Sequence, residues 1–180
     1  PFVLLPLEGR HLPATARERV AVLETLLAKA ETLGIPRRLV LVDVLVLTAA
    51  SDANDPCACL DTIRWCMDNG LPTTMGLSNI SFGLPARDLV NSGFLLMAAG
   101  AGLSSCIGNP GNARLREALD TANLLLGRDP QAGRFIARYT DWKASAPTAF
   151  SVNGPDTSTA PLTLEEAVIR GDKDSITGLV

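Results

Sequence analysis

The segment "RLVLVDVLVL", residues 38–47, constrains the fold most, because it is a nearly continuous apolar run interrupted by Asp43. Val- and Leu-rich runs of this length are typical of strands in parallel sheets that helices cover on both faces. The run is too short to span a membrane. It therefore predicts a core strand, and it leaves Asp43 as the one residue that a plain core strand does not explain.

Strand-like and helix-like segments alternate along the chain. The strand-like segments are "FVLLPL", "RLVLVDVLVL", "PTTMGLS" and "SSCIGN", and an amphipathic segment of helical length follows each one. This alternation predicts an α/β fold of about four βα units with parallel strands and right-handed crossovers. Both a small doubly wound sheet and half of a TIM-type (β/α)8 barrel fit this pattern. The chain begins with Pro1 and not with Met, which favours the half barrel, cut from a longer polypeptide.

Charge and cysteine content narrow the class of protein. The net charge is only −3, and no basic stripe with interleaved aromatics is present, so we expect no nucleic-acid partner. No apolar run is long enough for a membrane anchor. Of the four cysteines, Cys57 and Cys59 point about 100° per residue apart on a helix, and no His lies nearby. We therefore expect no metal site and interpret Cys57, Cys59, Cys66 and Cys106 as buried free thiols of a cytoplasmic protein.

The composition changes near the C-terminal end of the chain. Residues 143–161 are rich in Ser, Thr, Ala and Pro without periodicity, which predicts a linker after a first domain at residues 1–142. Residues 162–180 form two short helix-like segments, too few to bury a core alone. We interpret them as the start of a second domain.

Asp43 is the strongest candidate site residue. A carboxylate inside a buried strand is costly unless it is paired or hydrogen-bonded. Asp43 either satisfies a neighbouring loop or accepts two parallel N–H bonds from a flat heterocycle such as a pterin.

Further polar candidates follow the later strands. Asn79 ends the third strand-like segment and fits either an Asx turn or a binding site. Arg87 opens the next helix, where a cation opposes the helix dipole. His11, Asn109 and Asn112 are explained as well by surface turns as by a site.

The segment "MGLSNISFGLPARDLVNSGFLLMAAGAGL", residues 75–103, closely resembles the seventh strand, loop and helix of the pterin-binding methyltransferases. These include the folate domain of cobalamin-dependent methionine synthase and the methyltetrahydrofolate:corrinoid methyltransferases. The resemblance runs from "PFVLLPLEGRHLP" to "RYTDW" and implies the second half of the barrel over residues 1–142. Residues 162–180 resemble the first helices of the cap that precedes a cobalamin-binding domain, which favours the fused methionine synthase.

The resemblance also implies residue roles. Asp43 matches the family's Asp that holds the pterin ring. Asn79 matches the catalytic Asn beside N5 of the folate, the atom that bears the methyl group, and Arg87 matches an Arg that contacts the folate. The implied substrate is 5-methyltetrahydrofolate, and the implied cofactor is cobalamin bound by the adjoining domain of the same parent chain. This sequence has Val44 where the family often has Pro, and Ala86 where it often has Asn.

Three functions remain open. The parent protein is a methionine synthase, a methyltransferase that serves a separate corrinoid protein, or a pterin-binding module without activity. The family's other pterin-binding Asp and Asn lie on earlier strands, so we expect the isolated 180-residue chain to be inactive.

Overall fold

A computed structural model of the chain describes residues 2–9 and 11–143. The predicted cap helices at 162–180, and the predicted linker apart from its first residue, lie outside these ranges. The strands are β1 (Phe2–Leu4), β2 (Val40–Asp43) and β3 (Thr73–Thr74), and the helices are α1 (Ala16–Thr32), α2 (Asp55–Asp68), α3 (Arg87–Ala101), α4 (Ala113–Leu125) and α5 (Gly133–Tyr139).

The strands form a parallel sheet in chain order, β1-β2-β3, so the predicted parallel pairing is confirmed for these three. The register places Asp43 beside Thr74 at the carboxyl end of both strands. The fourth predicted strand is reduced to a parallel bridge between Gly76 and Ile107. Its backbone still pairs with the edge of β3, since Ser105 N–H donates to the Thr73 carbonyl at 3.0 Å and Ile107 N–H to Met75 at 2.8 Å.

The helices follow the same order as the strands. α1 packs on α2, α2 on α3, and α3 on α4. Val40, Val42 and Val44 are buried in the core, whereas Leu41 and Asp43, which alternate with them and therefore lie on the opposite face, are half-buried. The described strands keep their chain order across the sheet, which is consistent with part of a barrel. One half of a doubly wound sheet, before its switch point, has the same order.

The first two helices begin differently from each other. Thr15 caps α1, and Thr15 and Glu18 form a capping box. An Asp at the start of a helix is able to cap it, but at α2 Asn54 occupies the N-cap position and Asp55 is the first helical residue. The Asp55 carboxylate turns inward and pairs with Arg19. Asp55 therefore does not cap α2, because its side chain forms a tertiary ion pair.

The third strand is shorter than the sequence predicts. Its ladder covers Thr73–Thr74, and a 3-10 turn over Leu77–Ser81 follows the bridge at Gly76. Ser78 and Asn79 therefore lie on this turn and do not end the strand. The turn carries Asn79 out of the sheet, where its side chain is exposed.

Candidate functional site

Asp43 lies at the carboxyl end of β2, where the chain turns sharply. Its Oδ1 accepts the Leu45 backbone N–H at 3.0 Å. Leu45 has φ 55°, a left-handed conformation that is unfavourable for a residue with a Cβ. A carboxylate has about four lone-pair sites, so one amide bond leaves both oxygens able to accept further donors. Asp43 thus accepts the free N–H of its own loop, and both of its carboxylate oxygens can still accept hydrogen bonds from a ligand.

Asn79 contacts the loop that follows Asp43. Its Nδ2 lies 3.4 Å from the Val46 carbonyl, which orients Oδ1 as the end of the amide left for another group. Two further bonds join the same loop to the turn: Ala49 N–H donates to Ile80 at 3.0 Å, and the Thr48 hydroxyl donates to the Phe82 carbonyl at 2.5 Å. The structure therefore brings Asp43 and Asn79 to the same edge of the sheet.

Arg87 fixes the turn that carries Asn79. Its Nη2 donates to the Ser78 carbonyl at 2.9 Å, and its Nε donates to the Ser81 hydroxyl at 3.1 Å. Both bonds tie the start of α3 to the 3-10 turn. Arg87 is exposed, and within the described residues its Nη1 makes no hydrogen bond. The structure thus gives Arg87 a bracing role and leaves one nitrogen for a ligand.

A cleft of ≈430 Å³ lies beside this turn, between α3, the segment around Ile107 that pairs with the edge of β3 (the bridge strand) and the start of α4. Ser78, Arg87 and Asn91 contribute to its lining. Asn91 is 7% exposed, and its Oδ1 is buried without a hydrogen-bond partner among the described residues. An orphaned amide oxygen is unusual, because buried polar atoms are almost always paired.

The three other candidates have local explanations. His11 is exposed on the loop after β1, where its N–H donates to the Glu8 carbonyl at 3.2 Å. Asn109 Oδ1 accepts the Gly111 N–H at 2.9 Å, and Asn112 caps α4 by accepting the Leu115 N–H at 3.1 Å. Turn and cap chemistry therefore account for the side chains of Asn109 and Asn112, whereas the bond of His11 is made by its backbone.

Sequence reasoning missed the buried support beneath Asp43. The side chains of Arg19 and Asp55 are 0% and 1% exposed and form an ion pair. Arg19 also donates to the Leu45 carbonyl at 2.9 Å, and Asp55 Oδ2 accepts the Leu47 N–H at 2.9 Å. Arg19 sits in a helix of ordinary amphipathic pattern, so the sequence offers no local signal for this pair.

The cysteines divide into two groups. Cys59 and Cys66 are buried, as expected, and burial raises the pKa of each thiol to about 12. Cys57 and Cys106 are exposed, so the prediction of burial is wrong for these two. The divergence of Cys57 and Cys59 on one helix follows from their spacing. Within residues 2–9 and 11–143, no three His, Cys, Asp or Glu side chains converge as metal ligands would.

A groove of ≈580 Å³ lies at the other end of the sheet, lined by Val40 at the start of β2 and by the ends of α1 and α2. Parallel βα folds carry their binding chemistry at the carboxyl ends of the strands, where Asp43 and Asn79 lie. The candidate site is therefore the carboxyl edge that holds those two residues. The groove lies at the opposite, amino end of the strands.

The described residues form an α/β fragment with three parallel strands, and Asp43 and Asn79 lie at the carboxyl edge of its sheet. Residues 10–109 match the family described as pterin binding enzyme, and the chain belongs to that family. No helix in the described part of the chain has the length and apolar character needed to cross a membrane.

Two curated relatives are similar to this chain. A methylcorrinoid:tetrahydrofolate methyltransferase of Eubacterium limosum is 26% identical over 145 residues, which cover 79% of this chain and 53% of that protein. A methionine synthase of Mycobacterium leprae (strain TN) is 34% identical over 114 residues, which cover 58% of this chain and 10% of that protein. The chain thus spans about half the length of the first relative and a tenth of the second.

Proposed function

We propose that the intact protein transfers the N5 methyl group of 5-methyltetrahydrofolate to a corrinoid. The observation that carries this proposal is the position of Asp43 and Asn79 at one edge of the sheet, where Asn79 Nδ2 contacts the Val46 carbonyl in the loop that follows Asp43. The family match supports a pterin ligand. The Eubacterium limosum relative, a methylcorrinoid:tetrahydrofolate methyltransferase, supports both the methyl-transfer chemistry and the corrinoid.

The proposed domain organisation follows the sequence. Residues 1–142 form the second half of a TIM-type barrel, 143–161 a linker, and 162–180 the beginning of a cobalamin-binding cap. Two observations support the barrel: the uninterrupted strand order, and the exposure of Phe2 and Val3 on β1, which is an edge strand of the described sheet. Further strands beside β1 would cover this apolar edge.

In the proposed mechanism Asp43 orients the ring. Its carboxylate accepts the ring N–H and the 2-amino group of the pterin as two parallel hydrogen bonds. The Leu45 N–H donates to Asp43 Oδ1, and this bond fixes the orientation of the carboxylate before the substrate binds. Arg87 Nη1 provides a donor toward the folate at the same edge.

Asn79 acts at the reacting nitrogen. An amine nitrogen is a poor leaving group, and it departs more easily as it gains positive character. The Asn79 amide can accept a bond from a protonated N5 through Oδ1 or, after reorienting, donate to the neutral nitrogen. The corrinoid, when bound, supplies the nucleophile that accepts the methyl group. Because Asn79 is exposed at an open edge, a corrinoid-bearing domain has room to approach it.

We favour the fused, methionine-synthase form, in which the cobalamin domain belongs to the same chain and the methyl group passes on to homocysteine to give methionine. Its support is the resemblance of residues 162–180 to a cobalamin-domain cap. The second candidate, a methyltransferase for a separate corrinoid protein, is supported by the match that covers 79% of this chain. A D-x-H-x-x-G motif in the parent sequence after Val180 would favour the fused form.

Two substitutions in the intact protein test the site. Asp43→Asn is expected to weaken methyltetrahydrofolate binding about tenfold or more, because it removes a charged acceptor. Asn79→Ala is expected to slow single-turnover methyl transfer about 100-fold while folate affinity changes by less than about threefold, because its bond strengthens in the transition state. Equilibrium binding and rapid-quench transfer measure the two effects.

The exposed His11 provides the matched control, and His11→Ala is expected to leave both quantities unchanged. Wild-type folate affinity and wild-type transfer in both Asp43→Asn and Asn79→Ala would contradict the site assignment. A wild-type protein that binds the folate but methylates no corrinoid would favour the third candidate, a pterin-binding module.

A further inference from the structure

We infer that Arg19 and Asp55 are positioning residues for Asp43, and that they act by holding the loop after β2 in a strained conformation. The inference deepens the proposed function and rests on it. Neither side chain belongs to the edge that faces a ligand, since both are essentially inaccessible to solvent.

The pair is poorly explained as a source of stability. Removing two charges from water is energetically costly, and apolar side chains of similar volume often replace a buried ion pair without loss of stability. The hydrogen bonds that the pair makes to the backbone indicate a different role.

Arg19 joins two loops that are far apart in sequence. Its Nε donates to the Pro13 carbonyl at 3.2 Å, in the loop after β1. Its Nη1 lies 3.4 Å from the Val44 carbonyl and 2.9 Å from the Leu45 carbonyl, in the loop after β2. A planar guanidinium with fixed donor directions suits such a junction better than the point charge of a lysine.

Asp55 completes the junction from the first turn of α2. One oxygen accepts Arg19 Nη2, and the other accepts the Leu47 N–H at 2.9 Å. The ion pair therefore holds Leu45 by its carbonyl and Leu47 by its amide, on either side of Val46, whose carbonyl contacts Asn79.

The consequence for Asp43 follows from the backbone. Two successive carbonyls, those of Val44 and Leu45, converge on one guanidinium while Leu45 adopts φ 55°. That conformation is sterically unfavourable for an L-residue with a Cβ, so it persists only where other contacts impose it. In this conformation the Leu45 N–H faces Asp43 Oδ1. Without the ion pair, the loop is free to relax and the carboxylate loses its fixed orientation.

The double variant Arg19→Met/Asp55→Leu separates positioning from stability. It replaces both charges with apolar side chains, so no uncompensated ion is left in the core. In the intact protein we expect the melting temperature to stay within a few degrees of wild type. We expect the Kd for methyltetrahydrofolate to rise about tenfold, and backbone amide exchange at Leu45 and Leu47 to accelerate about tenfold or more.

A second ion pair provides the matched control. Arg134 pairs with Asp129 at 3.4 Å in the segment around α5, outside the site. Arg134→Met is expected to leave folate Kd and exchange at Leu45 and Leu47 within twofold of wild type. The double variant removes the acceptor of the Leu47 N–H directly, so the deciding quantities are the folate Kd and the exchange at Leu45. A purely structural role for Arg19 and Asp55 predicts that both stay within twofold of wild type in the double variant, as in this control, and that outcome would overturn the inference.

A second variant, Arg19→Lys, tests the inference if the double variant does not fold. Arg19→Lys keeps the charge beside Asp55, but one ammonium group cannot reproduce the fork of bonds to Pro13, Val44 and Leu45. A rise of at least fivefold in folate Kd in this folded variant supports positioning, and a Kd within twofold of wild type refutes it.

The exchange measurement also separates this inference from the proposed function. If the wild-type protein binds no methyltetrahydrofolate, the proposed function fails. Faster exchange at Leu45 and Leu47 in the variants then still supports the part of the inference that concerns the loop, whereas unchanged exchange overturns it.

Discussion

Ala86 occupies a backbone conformation that its side chain does not favour. It precedes α3 with φ 49° and ψ 44°, in the left-handed region, and it makes no side-chain cap. Asn and Gly adopt this region most readily. Ala86 is therefore strained in this position, where an Asn or a Gly would be less so.

Relief of this strain is measurable. Ala86→Gly is expected to raise the free energy of unfolding by about 0.5–1 kcal/mol, because glycine adopts the left-handed conformation without steric penalty. The same change at the exposed Ala21, inside α1, is expected to lower it by about 1 kcal/mol, since glycine disfavours a helix interior. Urea denaturation of both variants checks the opposite signs. A loss of stability in Ala86→Gly similar to that in Ala21→Gly would contradict the strain argument.

At the scale of elements, the start of α1 should be sensitive to pH. Glu18 Oε2 accepts the Thr15 N–H at 3.1 Å and the Ala14 N–H at 2.9 Å. The bond from Thr15, with that from Ala14, holds the pKa of the Glu18 carboxyl below its ordinary value of 4.5. A depressed folded-state pKa contributes stability above the unfolded-state pKa, and this contribution is lost as the pH falls through the folded-state value.

Glu18→Gln tests this dependence. The difference in unfolding free energy between wild type and Glu18→Gln is expected to be present at pH 6 to 7 and to shrink as the pH falls below about 4.5. Asn112→Ala at the N-cap of α4 serves as the control: its loss of about 1 kcal/mol should persist at low pH, because the Asn112 amide does not titrate there. A Glu18→Gln difference that stays constant between pH 7 and pH 3 would contradict the assignment.

Local pattern was sufficient for some elements and insufficient for others. The apolar run predicts β2, because a continuous apolar segment indicates a buried strand. The amphipathic segments predict α1 and α3, because their apolar residues recur with the period of a helix. The turn that carries Asn79 was not predicted, since its shape depends on Arg87 bonding back to Ser78 and Ser81. The inward position of the Asp55 carboxylate is not predictable for the same reason, because its partner Arg19 lies 36 residues away.

The candidate site shows the same division. Asp43 could be found from sequence, because a carboxylate in an apolar strand conflicts with its surroundings. Its proximity to Asn79 depends on the register of β2 with β3 and on the Val46 contact, which no periodicity encodes. The role of Asn79 beside N5 stays a prediction that only the intact protein can test.

At the scale of the whole molecule, both edges of the described sheet expose apolar side chains. Phe2 and Val3 of β1 are 49% and 60% exposed, and Ile107 of the bridge strand is 70% exposed. An exposed apolar strand edge is a template for further pairing. In the proposed barrel, strands outside this chain pair with these edges and supply the other wall of the pterin pocket.

The 180-residue chain expressed alone is therefore expected to show no methyl transfer from methyltetrahydrofolate to cob(I)alamin, and to bind the folate at least about 100-fold more weakly than the intact protein. Its Asp43 and Asn79 would form one wall of a pocket, and a ligand loses both burial and most of its fixed donors and acceptors when the opposite wall is absent. Transfer assays on both proteins, with circular dichroism to verify that the short chain is folded, measure the difference. A folded short chain that turns over at a rate within tenfold of the intact protein would mean that the residues described here already form a complete site.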